Sequence, residues 1–117
     1  MMMSSALQAP PQLTPLERRG AEELVRHLRS DPRVERLVVF GSRARARSGI
    51  ASDLDIAVYL SGERERPTER WVEEQRQAVE ARTEGLRLNL VPLFAGEPPT
   101  TLTAAINRDG ITLWKSN

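Results

Sequence analysis

The chain has 117 residues and a mass of 13.1 kDa, enough for one domain and too short for a separate substrate domain. Its 17 basic and 16 acidic residues leave a net charge of +1, which argues against a polyanion or membrane-surface binder. The lack of cysteine excludes disulfides, thiolate zinc sites and cysteine nucleophiles. One histidine, His27, excludes a multi-histidine metal centre, and no apolar run approaches the roughly 20 residues that span a bilayer, so the expectation is a soluble, cytoplasmic protein with no membrane contact.

Residues 1–13 (MMMSSALQAPPQL) lack the basic-then-apolar pattern of a secretory signal and read as a flexible leader, with one domain over 14–117. Thr14-Pro15-Leu16-Glu17 has the form of a capping box, with Pro15 where no helical N–H is needed. Leu16, Ala21, Leu24, Val25 and Leu28 then form one apolar stripe, which predicts a helix over 15–30 that ends before Pro32. Leu37-Val38-Val39-Phe40 reads as a strand buried on both faces, stopping at Gly41. The segment 42–52, with three arginines at alternate positions, reads as a short helical turn and a loop.

From Asp53 to Leu60 the alternation is strict: Leu54, Ile56, Val58 and Leu60 share one face of a strand, and Asp53, Asp55, Ala57 and Tyr59 share the other. A second helix is expected over 68–84 with Gly85 as its cap, carrying Trp71, Val72 and Val79 as packing residues. Leu86, Leu88 and Leu90 open a third strand that runs through Phe94, where Pro92 points to a sheet edge or a strand end. Pro98-Pro99-Thr100 introduces a last helix with Leu102, Ala105 and Ile106, closed by Asp109-Gly110, and 111–114 forms a candidate short C-terminal strand. The fold class is α+β, with three core strands plus that short one, flanked by helices.

Aspartate is disfavoured in strands, and only four occur here, yet two of them lie two residues apart in one strand. Residues i and i+2 project from the same face, so the Asp53 and Asp55 carboxylates at about 6 Å would repel by about 3 kcal/mol at an effective dielectric of 20. A divalent cation relieves that repulsion, and hard oxygen ligands suit Mg²⁺ or Mn²⁺ bridging to substrate phosphates. Two incidental acids on a solvated face are the bland alternative. Gly41-Ser42 follows a buried strand, where a backbone without a Cβ can approach a ligand and free N–H groups can meet phosphate oxygens. Taken alone, such a pair is more often a plain turn. Arg43, Arg45 and Arg47 make the one dense basic cluster near these groups and suit a triphosphate, against the bland reading of a solvated charged loop.

Together these residues spell Gly-Ser, ten residues, then Asp-x-Asp, within GSRARARSGIASDLDIAVYL over 41–60. This resembles the minimal nucleotidyltransferase family, the smallest members of the DNA polymerase β-like superfamily. The element order matches over about 14–114, while the specific motif occupies 41–55. The resemblance implies a mixed sheet with helices on one side, a nucleoside triphosphate (ATP or another) held at Gly41, Ser42, Arg43 and Arg45, and Mg²⁺ held by Asp53 and Asp55 as the catalytic pair. It also implies transfer of a nucleoside monophosphate, with adenylyl transfer foremost, to a HEPN-type helical partner, the chain being the antitoxin of a toxin pair. Direct nucleic-acid binding is not expected.

Two positions depart from the family pattern. Asn89 stands where a third carboxylate is usual, which makes it a weaker candidate metal ligand and removes a base for the attacking hydroxyl. Ala46 stands where glycine is common. The first departure keeps a second reading open, a degenerate nucleotidyltransferase fold that neutralises a HEPN-type partner by contact.

Overall fold

A computed structural model of the chain describes residues 13–41, 53–61 and 68–116. Helix α1 spans Pro15–Leu28. The capping box forms as the sequence implies: the Glu17 amide donates to Thr14 Oγ1 at 3.1 Å and the Thr14 amide donates to Glu17 Oε1 at 2.9 Å. The predicted stripe is the buried one, since Ala21, Leu24, Val25 and Leu28 are all enclosed. Leu13, placed with the leader by sequence, is also buried in the core. His27 is exposed.

Strand β1 (Val34–Phe40) begins three residues earlier than the apolar run alone predicts. Its polar start is held by pairing, with Val34 opposite Leu60 and Arg36 opposite Tyr59. Strand β2 (Leu54–Leu60) is antiparallel to β1 and starts one residue after Asp53. Helix α2 (Glu69–Arg82), capped by Thr68, supplies the crossover that lets β3 (Leu88–Phe94) lie parallel to β2. The α2 C-cap is Thr83 and not Gly85, which lies two residues beyond with φ +91°. Helix α3 (Thr101–Asp109), capped by Thr100, leads into β4 (Ile111–Lys115), antiparallel to β1.

The sheet order is β3-β2-β1-β4. This puts the continuous apolar run of β1 in the interior and the proline-bearing β3 at an edge, as a strand lacking one N–H donor requires. On one face of the sheet, α1 and Val79 of α2 pack against Leu37, Val39, Leu54, Ile56, Val58 and Leu60. Trp71 and Val72 are only partly buried beside this core, and Arg33 stacks on the Trp71 ring at 5.0 Å.

The helices do not all lie on one side. Ile106 of α3 packs with Val38 and Ala57 on the opposite face, where Phe40, Tyr59 and Leu93 border it. Of the apolar residues expected on α3, Ile106 is buried and Leu102 is 42% exposed. Close approach of α3 to β1 depends on Gly110, because a Cβ there would lie 2.6 Å from Val38 Cγ1 and 2.4 Å from the Ile106 carbonyl oxygen. No helix among the described residues is long and apolar enough to cross a membrane.

Candidate functional site

The topology brings three chain segments to one end of the sheet: the end of β1, the start of β2 and the start of β3. Asp55 is the cross-strand partner of Phe40 on β1 and of Asn89 on β3. Leu54 donates its amide to the Arg87 carbonyl at 2.9 Å, tying the starts of β2 and β3 together. Because Asp55 has the same strand parity as Ala57 and Tyr59, it belongs to the sheet face that carries Ile106 and not to the α1 face.

Both oxygens of the half-buried Asp55 carboxylate have defined neighbours. Asn89 Nδ2 donates to Oδ1 at 2.9 Å. Oδ2 lies against the Gly41 backbone so closely that a Cβ at Gly41 would be 2.5 Å away, and Gly41 itself adopts φ +77°. Glycine is therefore required at this position twice over, by its left-handed backbone and by the carboxylate beside it. From sequence, Gly41 suits either a plain turn or a close backbone approach to a ligand, and its contact with Asp55 arises only from strand pairing.

Asp53 is exposed and immediately precedes β2, so it stands at the solvent edge of the same end of the sheet. Asn89 is exposed, and its amide nitrogen faces Asp55, so in this arrangement it acts as a hydrogen-bond donor; ligation through its oxygen would require the amide to turn over. Ser42, Arg43, Arg45 and Arg47, together with Ala46, lie outside the described residues.

Glu80 belongs to no sequence motif of the site. Its Oε2 accepts the Leu88 amide at 2.7 Å, and its Oε1 accepts from Arg76 Nη1 at 2.7 Å. Arg76 is also bonded to Glu73, and these two carboxylates hold the Arg76 guanidinium even more firmly protonated than usual, Glu73 contributing more. Glu80 thus anchors the first residue of β3, next to Asn89. The signal in the sequence is the Glu73-Arg76-Glu80 spacing on one helix face, which by itself specifies only a surface ion-pair ladder.

Among the described residues no group of three or more histidine, cysteine or acidic side chains could hold a metal. The donors at this end of the sheet are two carboxylates, Asp53 and Asp55, with the amide of Asn89 beside Asp55. That set fits a Mg²⁺-like cation, which takes one or two protein carboxylates and fills its remaining positions with water and substrate phosphate. It does not fit a cation held wholly by protein.

A family model described as Polymerase beta, Nucleotidyltransferase matches residues 22–117. Among solved structures, the chain is similar to one from a toxin–antitoxin crystallised with AMP-PNP (22% identity, 84% of this chain and 73% of that chain, TM-score 0.64). It is also similar to one from the tri-AMPylated Shewanella oneidensis HEPN toxin in complex with MNT antitoxin (21% identity, 83% of this chain and 71% of that chain, TM-score 0.60). A third, from a variant of the MntA–HpeT toxin–antitoxin, shares 23% identity over 82% of this chain and 70% of that chain, with TM-score 0.60. No curated protein matches.

Proposed function

The chain belongs to the polymerase β nucleotidyltransferase family, and from that premise we propose that it transfers a nucleoside monophosphate, AMP from ATP foremost, to a HEPN-type protein partner in the cytoplasm, as the antitoxin of a toxin–antitoxin pair. The observation that carries this reading is the junction at Asp55, where Gly41 just after β1, Asp55 on β2 and Asn89 on β3 meet. Likeness to structures of a toxin–antitoxin with AMP-PNP and of an AMPylated HEPN toxin with its MNT antitoxin supports the choice of ATP and of the partner class.

In this reading an acceptor hydroxyl oxygen bonds to the α-phosphorus, the bond from that phosphorus to the bridging oxygen breaks, and pyrophosphate leaves with that electron pair. The hydroxyl proton passes to solvent or to a partner group, since no third carboxylate stands at position 89. Asp53 and Asp55 would hold Mg²⁺, which when bound neutralises phosphate charge and stabilises the entering and leaving oxygens. Asn89 keeps Asp55 oriented by donating to Oδ1, and Gly41, having no Cβ, makes room for Oδ2 beside it. Ser42, Arg43 and Arg45 are proposed to hold the triphosphate.

Asn89 favours a second reading, in which the chain masks its partner by contact and transfers nothing. Incubation with labelled ATP, Mg²⁺ and the candidate partner separates the two. Label on the partner that depends on Asp53 and Asp55 supports transfer. A tight complex that neutralises the partner and leaves it unlabelled refutes transfer and supports masking.

A further inference from the structure

A second polar constellation lies at the other end of the sheet. Tyr59, Arg36 and Lys115 are consecutive cross-strand partners on β2, β1 and β4, so their side chains stand in a row about 5 Å apart from strand to strand. The Arg36 guanidinium lies 4.1 Å from the centroid of the Tyr59 ring, and the Tyr59 hydroxyl is 3.4 Å from Asn107 Oδ1 on α3, which holds the ring in place. With Glu35 and Ser116 these residues line a cavity of about 360 Å³ that is open to solvent.

Neither Arg36 nor Lys115, the chain's one lysine, forms an ion pair among the described residues, although most of the other ion pairs here are local and satisfied within one element. Glu35 lines the same cavity without closing on either cation, so the lining carries two positive charges and one negative. A lining of net charge +1 is neutralised by a single carboxylate, whereas a phosphate dianion would leave excess negative charge and be repelled twice as strongly by Glu35. A planar guanidinium preorganised by stacking offers the paired donors that a carboxylate accepts, and Lys115 adds a point charge beside it.

We infer that this cavity docks an acidic side chain of a protein partner, with Arg36 as its anchor, Lys115 as the neighbouring charge and Tyr59 as the platform. The cavity is too open to enclose a mononucleotide, whose sites cover most of the ligand. It shares a sheet face with Asp55 and lies four residues along β2, about 13 Å away, so a partner engaged there would extend toward the proposed transfer site. Only the identity of that partner rests on the reading under Proposed function; binding of a carboxylate-bearing peptide does not.

The test is amide-resolved NMR of the full chain titrated separately with a Glu-containing peptide, its Gln-for-Glu counterpart and inorganic phosphate. The Glu peptide should shift the Arg36, Tyr59, Lys115 and Ser116 amides saturably, and the Gln peptide and phosphate should not. Joint Arg36→Gln and Lys115→Gln substitution should weaken the binding about tenfold, and Lys115→Gln alone, at an exposed position, should weaken it severalfold if the double variant does not fold. Equal shifts with the Gln peptide, stronger shifts with phosphate, or no shift at these amides would overturn the inference. A Mg²⁺ and nonhydrolysable-ATP titration read at Gly41, Asp55 and Asn89 reports on the proposed nucleotide site independently, so either reading can fail alone.

Discussion

Replacing Asn89 with aspartate tests how the site is balanced without a cation. The substitution removes the 2.9 Å hydrogen bond from Asn89 Nδ2 to Asp55 Oδ1 and sets a second carboxylate against the first. At about 4 Å and an effective dielectric of 20, two such charges repel by about 4 kcal/mol. Asn89 is exposed, so solvent screening reduces that figure severalfold, and with the lost hydrogen bond the metal-free variant should be destabilised by about 2 kcal/mol. For a domain of this size that is a fall in Tm of about 10 °C. Saturating Mg²⁺ should return most of the loss to Asn89→Asp, because a cation bound only by the folded state stabilises it and the new acid raises its affinity. Thermal unfolding of wild type and variant, with and without Mg²⁺, reads all four states. A variant as stable as wild type without metal, or one that Mg²⁺ leaves unmoved, refutes the placing of position 89 beside a cation held at Asp55.

Four further outcomes follow from particular contacts. Gly41→Ala should cost about 1–2 kcal/mol of stability for its left-handed backbone alone and should displace Asp55, abolishing Mg²⁺-dependent nucleotide binding in calorimetry. Retained binding would show that the Asp55–Gly41 contact is incidental. Thr14→Ala should lose about 1 kcal/mol in denaturant unfolding through the broken capping box, with nucleotide binding unchanged. Glu80→Gln, which weakens the anchor on the Leu88 amide and the pair with Arg76, should lower Tm and speed amide exchange at Leu88 and Asn89. The Arg33 guanidinium, chiefly by hydrogen bonding, holds the Asp31 carboxyl below its ordinary range. A depressed folded value contributes stability above the unfolded pKa that is lost as pH falls through the folded one, so Arg33→Gln should flatten that part of the acid limb of the pH–stability curve.

Local rules made much of the fold legible. Thr14, Pro15 and Glu17 specify the start of α1 wherever the rest of the chain goes, and the alternation from Leu54 to Leu60 fixes which face of β2 meets the core under α1. Pro92 marks β3 as an edge because a missing donor is a property of the residue itself. What escaped depends on tertiary pairing. Val34–Arg36 joins β1 because Leu60 and Tyr59 lie opposite, which no apolar pattern in that polar stretch announces. The side of the sheet that α3 covers is set by Ile106 meeting Val38 and Ala57, and by a glycine at 110 whose role is close packing rather than a left-handed turn.

The candidate site shows the same division. Spacing along one strand identified Asp53 and Asp55, but the hydrogen bond from Asn89 exists only because the parallel register places residue 89 opposite residue 55. The carboxylate against Gly41 likewise follows from antiparallel pairing of Phe40 with Asp55. Glu80, on a helix, reaches the start of β3 only through packing of α2 on the sheet.

The metal and nucleotide site at Asp53 and Asp55 is read by calorimetric titration with a nonhydrolysable ATP analogue, with and without Mg²⁺, comparing wild type with the Asp53→Asn, Asp55→Asn double variant. Wild type should bind in a Mg²⁺-dependent manner, and the folded double variant should not bind. Equal binding by both proteins, or binding by wild type that ignores Mg²⁺, would contradict it.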